Sequence, residues 1–381
     1  MNELEYSLYQ FGRMMNDKAR MSAYQSAISR TVRSGDTVLD LGCGPGIMAM
    51  LACRAGAGRV YAIDTNSVVD FGRQLGVANG LADKIQFLHG DSRRIELPER
   101  VDVIVSDVRG RLPLYGEAIQ TLNDARVRFL AEGGRMIPAS DVLFAAVVEA
   151  GEQYLALTQP WSLNGFNLSA TLSLVLNTIY GAQAPQQVIS TPQKWCVLDY
   201  SRVVDPRAAG CMQIPIVRDS TAHGLMVWFE TVLFEDIGYS SGPDEGESVY
   251  GRLFFPWESP VTLFAGDEVR VDLRADPVGH DYVWCWETRI PPREERKEVV
   301  FRQSTFHGAT LSTSLLHKHN ANFVPELSTE GQAERWLLQA MDGKRTLEDI
   351  ASEAVRLFPG VFRRREDALN RAADLAEEFS L

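Results

Sequence analysis

The chain has 381 residues, 45% hydrophobic and 23% charged, an ordinary globular composition with room for two or three domains of about 150 residues each. The 38 Lys and Arg face 50 Asp and Glu, a formal net charge of −12, and this excess of carboxylates argues against binding a phosphate backbone, so no nucleic-acid partner is expected. The five cysteines (Cys43, Cys53, Cys196, Cys211, Cys285) are never spaced C-x-x-C, which fits a reducing compartment; Met1–Glu5 lacks a basic n-region, and no stretch approaches the roughly 18 apolar residues of a membrane span. A soluble, cytoplasmic protein with no membrane contact is the expectation.

From about residue 35 to 138, short β-branched runs alternate with helical patterns, the mark of a parallel sheet wrapped by helices. The strands are expected at Thr37–Leu41, Val60–Ile63, Ile85–His89, Val101–Val105 and Arg135–Ile137, with crossover helices at Ile47–Ala55, Val68–Ala78 and Ala118–Phe129. Residues 1–138 therefore read as one Rossmann-like α/β domain.

After Pro138 apolar and polar residues alternate, in Val142–Val148, Leu225–Leu233, Val261–Phe264, Val269–Leu273 and Tyr282–Trp286. This predicts an antiparallel β-barrel domain over 139–303, interrupted by an apolar, helix-compatible excursion near 168–190. A third unit, 304–381, is expected to hold two short strands (Ala309–Leu316, Asn322–Leu327) and three helices (Gln332–Met341, Thr346–Phe358, Glu366–Phe379), which together suggest a winged helix. The alternating pair His317 and His319, just after that first strand and with no acid cluster beside it, gives no reason to expect a metal.

The strongest chemical signal is Val38-Leu39-Asp40-Leu41-Gly42-Cys43-Gly44-Pro45-Gly46, a strand that runs into a glycine turn and a helix. The spacing is G-x-G-x-G, and Ile47 stands where a dinucleotide fingerprint needs its last glycine, so a single nucleoside suits the turn better. The second strand ends at Asp64, 24 residues after Asp40, where a carboxylate can accept both hydroxyls of a ribose. Together these resemble the class I methyltransferases that use S-adenosylmethionine and release S-adenosylhomocysteine. The resemblance makes Asp40, Gly42, Gly44, Gly46 and Asp64 cofactor residues and puts Asp91 and Ser92, after the third strand, at the adenine.

Much of residues 6–290 is similar, more narrowly, to the protein arginine methyltransferases. Met14-Met15-Asn16-Asp17-Lys18-Ala19-Arg20 looks like that family's M-L-x-D-x-x-R, in which the Arg pairs with the cofactor carboxylate, a role that passes to Arg20. Trp161–Ser169 resembles the family's Y-G-F-D-M-S and His223–Glu230 one of its barrel strands. The excursion near 168–190 takes the place of the family's dimerisation arm, which implies a homodimer.

The acceptor side departs from the pattern. The family supplies two acids in S-E-x-M-G-x(5)-E; here the loop reads Ser106-Asp107-Val108-Arg109-Gly110-Arg111-Leu112-Pro113-Leu114-Tyr115-Gly116-Glu117, so the first acid is Asp107 and the second falls on Gly116. Ala125, Arg126, Leu130, Gly134 and Pro138 align without a gap, so Glu117 is one place late and the second acid is missing. Arg109 and Arg111 are expected to repel a guanidinium and attract a carboxylate, and Ser248-Val249-Tyr250 replaces the family's T-H-W. Asp107, Tyr115 and Glu117 remain the candidate catalytic residues, with Asp107 orienting or deprotonating the nucleophile.

In the third unit, Met341-Asp342-Gly343-Lys344-Arg345-Thr346-Leu347-Glu348-Asp349-Ile350 resembles the winged-helix peptide-recognition domains of ribosomal-peptide modification. The sequence thus predicts a methyltransferase acting on nitrogen or oxygen of a peptide or small amino-acid-derived acceptor, in peptide or natural-product modification. Two alternatives stand beside it: N-methylation of protein or free arginine, and a catalytically idle scaffold.

Overall fold

The computed structural model describes residues 6–162, 165–183, 186–246, 248–293, 296–310 and 312–380. Met1–Glu5, Leu163 and Asn164 of the Trp161–Ser169 segment, and Glu294 and Glu295 of the charged run at 293–297 lie outside the described residues. The chain divides into two compact units, one ending at Ala309 and one beginning at Thr310, so the first two expected domains share a single unit.

Two helices open the first unit. Ser7 starts α1 (Leu8–Asn16) through a capping box with Gln10, and Asp17 caps α2 (Lys18–Thr31) by accepting the Arg20 N–H at 3.1 Å. Five parallel strands follow, β1 (Thr37–Leu41), β2 (Arg59–Asp64), β3 (Ile85–His89), β4 (Val101–Ser106) and β5 (Leu130–Ile137), in the order β3-β2-β1-β4-β5. Helices α3 (Ile47–Ala55), α4 (Val68–Ala78) and α5 (Ala118–Phe129) join them. Val38, Leu39, Val60, Ala62, Val103 and Val105 are buried because both faces of a parallel sheet are covered, which is why these strands read as apolar runs. The strand order reverses between β1 and β4, and a ligand crevice is expected at the carboxyl ends on either side of that switch.

Beyond β5 the chain builds antiparallel sheet. A seven-stranded sheet runs β7 (Tyr180–Gly181), β13 (Leu253–Leu263), β11 (Ser220–Phe234), β6 (Ser140–Glu149) and β8 (Gln187–Val188), with β12 (Ile237–Ser240) on β11 and β9 (Gln193–Asp199) on β6. A four-stranded sheet runs β10 (Ala208–Pro215), β14 (Glu268–Val278), β15 (Asp281–Ile290) and β16 (Val299–Ser304). The expected closed barrel is thus corrected to two separate ladders around one core that includes Val147, Leu225, Phe229, Phe255, Trp257, Val271 and Trp286. The alternation was right for β14, where Val269, Val271 and Leu273 are buried between exposed Arg270 and Arg274. Strand β11 is buried on both faces, since Met226 and Trp228 pack under Tyr154 of α6 (Gly151–Thr158) and under Leu176 of the excursion, which holds α7 (Ala170–Val175). A one-turn helix, α8 (Thr305–Gly308), follows β16.

The second unit corrects the winged-helix expectation, because no strand occurs among its described residues. Thr313–Lys318, with His317, forms helix α9, and 322–327 has no regular structure. The Ser/Thr/Leu alternation at 309–316 looked like a strand, but a strand needs a ladder partner, and Pro325 denies one to the second run. The three remaining helices, α10 (Thr329–Ala340), α11 (Leu347–Leu357) and α12 (Arg365–Phe379), pack through Ala333, Leu337, Ile350, Ala354, Ala372 and Leu375. Thr346 and Asp349 form the capping box that starts α11.

Candidate active site

A cavity of about 1180 Å³ opens at the carboxyl ends of β1, β2 and β4 and is walled by α1, by the loop after β4, and by Tyr250, Tyr282 and Trp284 from the antiparallel half. Its floor is the glycine turn after β1. Gly44 and Gly46 adopt φ of +51° and +83°, and a Cβ on either would meet the ring of Phe11 or of Phe87 at 2.5 Å, so neither position admits a side chain. The Gly44 N–H donates to Asp64 Oδ2 at 2.6 Å and the Asn66 N–H to Oδ1 at 2.8 Å. Each Asp64 oxygen keeps an acceptor position, the number a pair of vicinal hydroxyls requires. Burial raises the Asp64 carboxyl above its ordinary range, and these backbone donors work against the rise.

Asp40 lies behind this floor, 2% exposed, and accepts the Ala49 N–H at 2.7 Å, which ties β1 to the first turn of α3. Burial pushes its carboxyl up to about 7. It supports the turn and also reaches the cavity lining, as Gly42 and Asp64 do. Asp91 and buried Ser92 also reach the cavity wall, where Arg93 holds the Asp91 carboxylate through Nε at 3.1 Å and Nη2 at 3.0 Å.

Across the cavity from this nucleoside half, the chain assembles a buried charge network around Asp107, at the end of β4. Arg20 donates to Asp107 Oδ2 from Nε at 2.7 Å and from Nη2 at 2.5 Å; Arg109 Nε donates to Oδ1 at 3.1 Å. The Tyr250 hydroxyl lies 2.7 Å from Oδ1 and 2.6 Å from Oδ2. Burial alone would raise the Asp107 carboxyl, but Arg20 and Arg109 overcome it and hold the group below the ordinary carboxylate range. Burial keeps the Tyr250 phenol protonated, so it serves as a donor.

Arg109 is the interior anchor of the network. Its other four N–H groups go to Asp141 at 2.8 Å, Thr231 at 2.9 Å, Tyr24 at 2.6 Å and Tyr239 at 2.9 Å, and Tyr200 closes the far side with a 2.6 Å bond to Asp141. The expectation that Arg109 confronts the acceptor is therefore corrected: its side chain is 2% exposed and its charge is balanced by two carboxylates. Asp141, Tyr24 and Tyr239 were missed in the sequence. Tyr250 carried a signal, since it occupies the place of the T-H-W motif.

Tyr115 and Arg111 are exposed on the cavity wall, and the Tyr115 ring rests on Gly110, where a Cβ would come within 2.6 Å. Glu117 also lines the cavity but is paired with Arg93 at 2.7 Å, with His280 at 3.6 Å. The structure thus brings all three candidate acceptor residues to one cavity, and only Asp107 touches Arg20.

Residues 22–161 match the family described as ribosomal protein L11 methyltransferase (PrmA). The chain is 29% identical over 344 residues, 84% of its length and 76% of the relative's, to a probable protein arginine N-methyltransferase 6 of Arabidopsis thaliana. It is 29% identical over 269 residues, 68% of its length and 74% of the relative's, to an arginine N(omega)-methyltransferase of Streptomyces achromogenes subsp. streptozoticus. The fold is shared with the Trypanosoma brucei PRMT1 enzyme-prozyme heterotetrameric complex with AdoHcy, at TM-score 0.69 and 21% identity over 77% of this chain and 97% of that one. The glycine floor and the two free acceptor positions on Asp64 fit S-adenosylmethionine. The chain is a class I methyltransferase that uses this cofactor, with a fold like that of the arginine methyltransferases.

Proposed function

We propose that the chain methylates a guanidinium nitrogen, of arginine in a protein or of free arginine. One observation carries this reading: Asp107 is an ionised carboxylate on the wall of the same cavity as the glycine floor, next to Arg20. Similarity to arginine methyltransferases supports it over the peptide or natural-product acceptor, because the latter leaned on a winged helix and no strand occurs among the second unit's described residues.

S-adenosylmethionine supplies a methyl group on a sulfonium, an activated leaving group, so the protein's task is to hold and aim the nucleophile. Asp64 would hold the ribose hydroxyls, Asp91 and Ser92 the adenine edge, and Arg20 the carboxylate. Once Arg20 is so engaged, Asp107 Oδ2 is free to accept N–H bonds from the acceptor, while Arg109 and Tyr250 keep the carboxylate ionised and fixed. Tyr115 covers the acceptor, and Glu117 stays with Arg93. The test is to incubate the protein with the cofactor and either free L-arginine or a protein pool, hydrolyse, and separate the amino acids. Methylarginine is the expected product; label transferred only to other compounds overturns the reading.

A second reading has its own observation. Every oxygen of Asp107 is already engaged by Arg20, Arg109 and Tyr250, which would suit a scaffold that binds the cofactor without turnover. Cofactor binding with no methyl transfer to any acceptor would favour it. In either reading we infer a homodimer through the excursion, supported by its exposed Leu168 and by exposed Phe166 just before it, and a cytoplasmic location, in keeping with five unpaired cysteines. No helix of the described residues is long and apolar enough to cross a membrane.

A further inference from the structure

The two arginines of the loop after β4 differ in one respect that bears on the acceptor. All five N–H groups of Arg109 are engaged inside the protein. Arg111, two residues on, has no hydrogen bond or ion pair among the described residues, and it is exposed on the wall of the main cavity. It also lines a smaller adjoining cavity of about 390 Å³, where it is the one charged side chain among the described lining residues. Its guanidinium sits against Gly181: a Cβ there would come within 1.9 Å of Nη1, so the chain leaves room for Arg111 at that spot. The Gln153 amide turns its nitrogen to the Gly181 carbonyl at 2.9 Å and its oxygen to the Gln183 N–H at 3.0 Å, so the surroundings are neutral and self-satisfied. An unpaired guanidinium with a neutral wall on the side of the smaller cavity and the acceptor site on the other is a receptor for a carboxylate, which its planar fork can bind through two parallel hydrogen bonds.

We propose that Arg111 binds the carboxylate of a small acceptor, so that the substrate is a free ω-guanidino acid such as L-arginine and not an arginine within a polypeptide. This rests on the guanidinium reading above and deepens it. Arginine inside a chain has its α-carboxyl tied up as a neutral amide and offers Arg111 nothing. The free amino acid is gripped at both ends, by Asp107 at the guanidinium and by Arg111 at the carboxylate. The second grip makes up for the acid missing from the loop.

The experiment pairs two measurements on the full-length protein. Calorimetry with S-adenosylhomocysteine present compares L-arginine with agmatine, which keeps the guanidinium but lacks the carboxylate. Methyl transfer from the labelled cofactor to the same two compounds is followed alongside. Wild type is expected to bind L-arginine at least about 10-fold more tightly than agmatine, R111M to bind the two equally, and R111K to recover part of the preference. Equal binding of both compounds by wild type, with methylarginine still formed, overturns the carboxylate grip and leaves the guanidinium reading standing. A carboxylate preference that depends on Arg111, with no methylarginine formed, keeps the grip and overturns the guanidinium reading. Absence of both defeats both.

Discussion

Two loops leave the parallel sheet side by side, the turn after β1 and the loop after β4, whose strands pair from Val38 with Val103 to Leu41 with Ser106. The first is a backbone device: glycines at positive φ, packed rings that forbid a Cβ, and peptide N–H groups that fix Asp64. The second is a side-chain device, in which Asp107 is held by Arg20, Arg109 and Tyr250, and Arg109 by residues from α2, β6, β11 and β12. The contrast teaches where each half of the site can change. The backbone device tolerates almost no substitution and so resembles other methyltransferases, while the side-chain device can be rebuilt with a new cation and a tyrosine and still hold its acid.

The largest way to break the contrast is to remove the cation at the centre of the second loop. Arg109→Met leaves Asp107 short of a partner and Asp141 buried with its charge uncompensated, and it is expected to cost about 3–5 kcal/mol in urea unfolding. Adding Asp141→Asn should restore part of that loss; if it restores none, the Arg109–Asp141 pair does not organise the loop. In the first loop, Asp64→Ala is expected to weaken S-adenosylhomocysteine binding about 100-fold, roughly 2.7 kcal/mol by calorimetry, and unchanged affinity would remove Asp64 from the cofactor site.

The two loops also differ in the sign of their pH response. Asp40 has a folded-state carboxyl raised to about 7, so the folded chain holds that proton more tightly than the unfolded chain does. Its contribution is fully present below the ordinary carboxylate range and is lost as pH rises to about 7, at up to roughly 1.4 kcal/mol per pH unit. Asp107 is lowered, so its contribution is present at neutral pH and lost as pH falls through its folded-state value. Comparing Asp40→Asn with wild type in denaturant melts from pH 4 to 8 isolates the first effect: the variant should lose the downward slope, and parallel curves would contradict the assignment.

Smaller changes sharpen the picture of the second loop. Tyr250→Phe removes one donor from the ionised Asp107 and is expected to cost about 1.5–3 kcal/mol in the same unfolding experiment, with the fold retained. Glu117→Gln breaks a partly exposed pair with Arg93, and its effect on stability should stay below about 1 kcal/mol, with little change in acceptor KM. A large rise in KM would make Glu117 the second acid after all.

Legibility in the sequence follows the same divide. The first four strands of the parallel sheet and the helices α3, α4 and α5 fall within a residue of where apolar runs and 3.6-residue spacing put them, since those signals arise from local burial, while β5 begins at Leu130 and not at Arg135, its first half being too polar to read as a strand. The glycine turn and Asp64 were readable because a tight backbone approach demands particular residues at fixed spacing. The Arg109 network was not, because Tyr24, Asp141 and Tyr239 are far from Arg109 in sequence and no spacing rule joins them; read alone, Arg109 looked like a charge facing the substrate. The second unit misled for a different reason: alternating Ser, Thr and Leu at 309–316 satisfies a strand pattern, but a strand exists only where a neighbour completes its ladder.

The glycine turn after β1 and the loop organised around Arg109 thus form the two walls of one site. A crystal structure of the protein with S-adenosylhomocysteine tests this arrangement most directly. The expected result is the ribose on Asp64, Arg20 turned from Asp107 to the cofactor carboxylate, and Arg109 still bonded to Asp107 and Asp141. A cofactor bound away from Asp64, or Arg20 still locked on Asp107 with the cofactor in place, would contradict it.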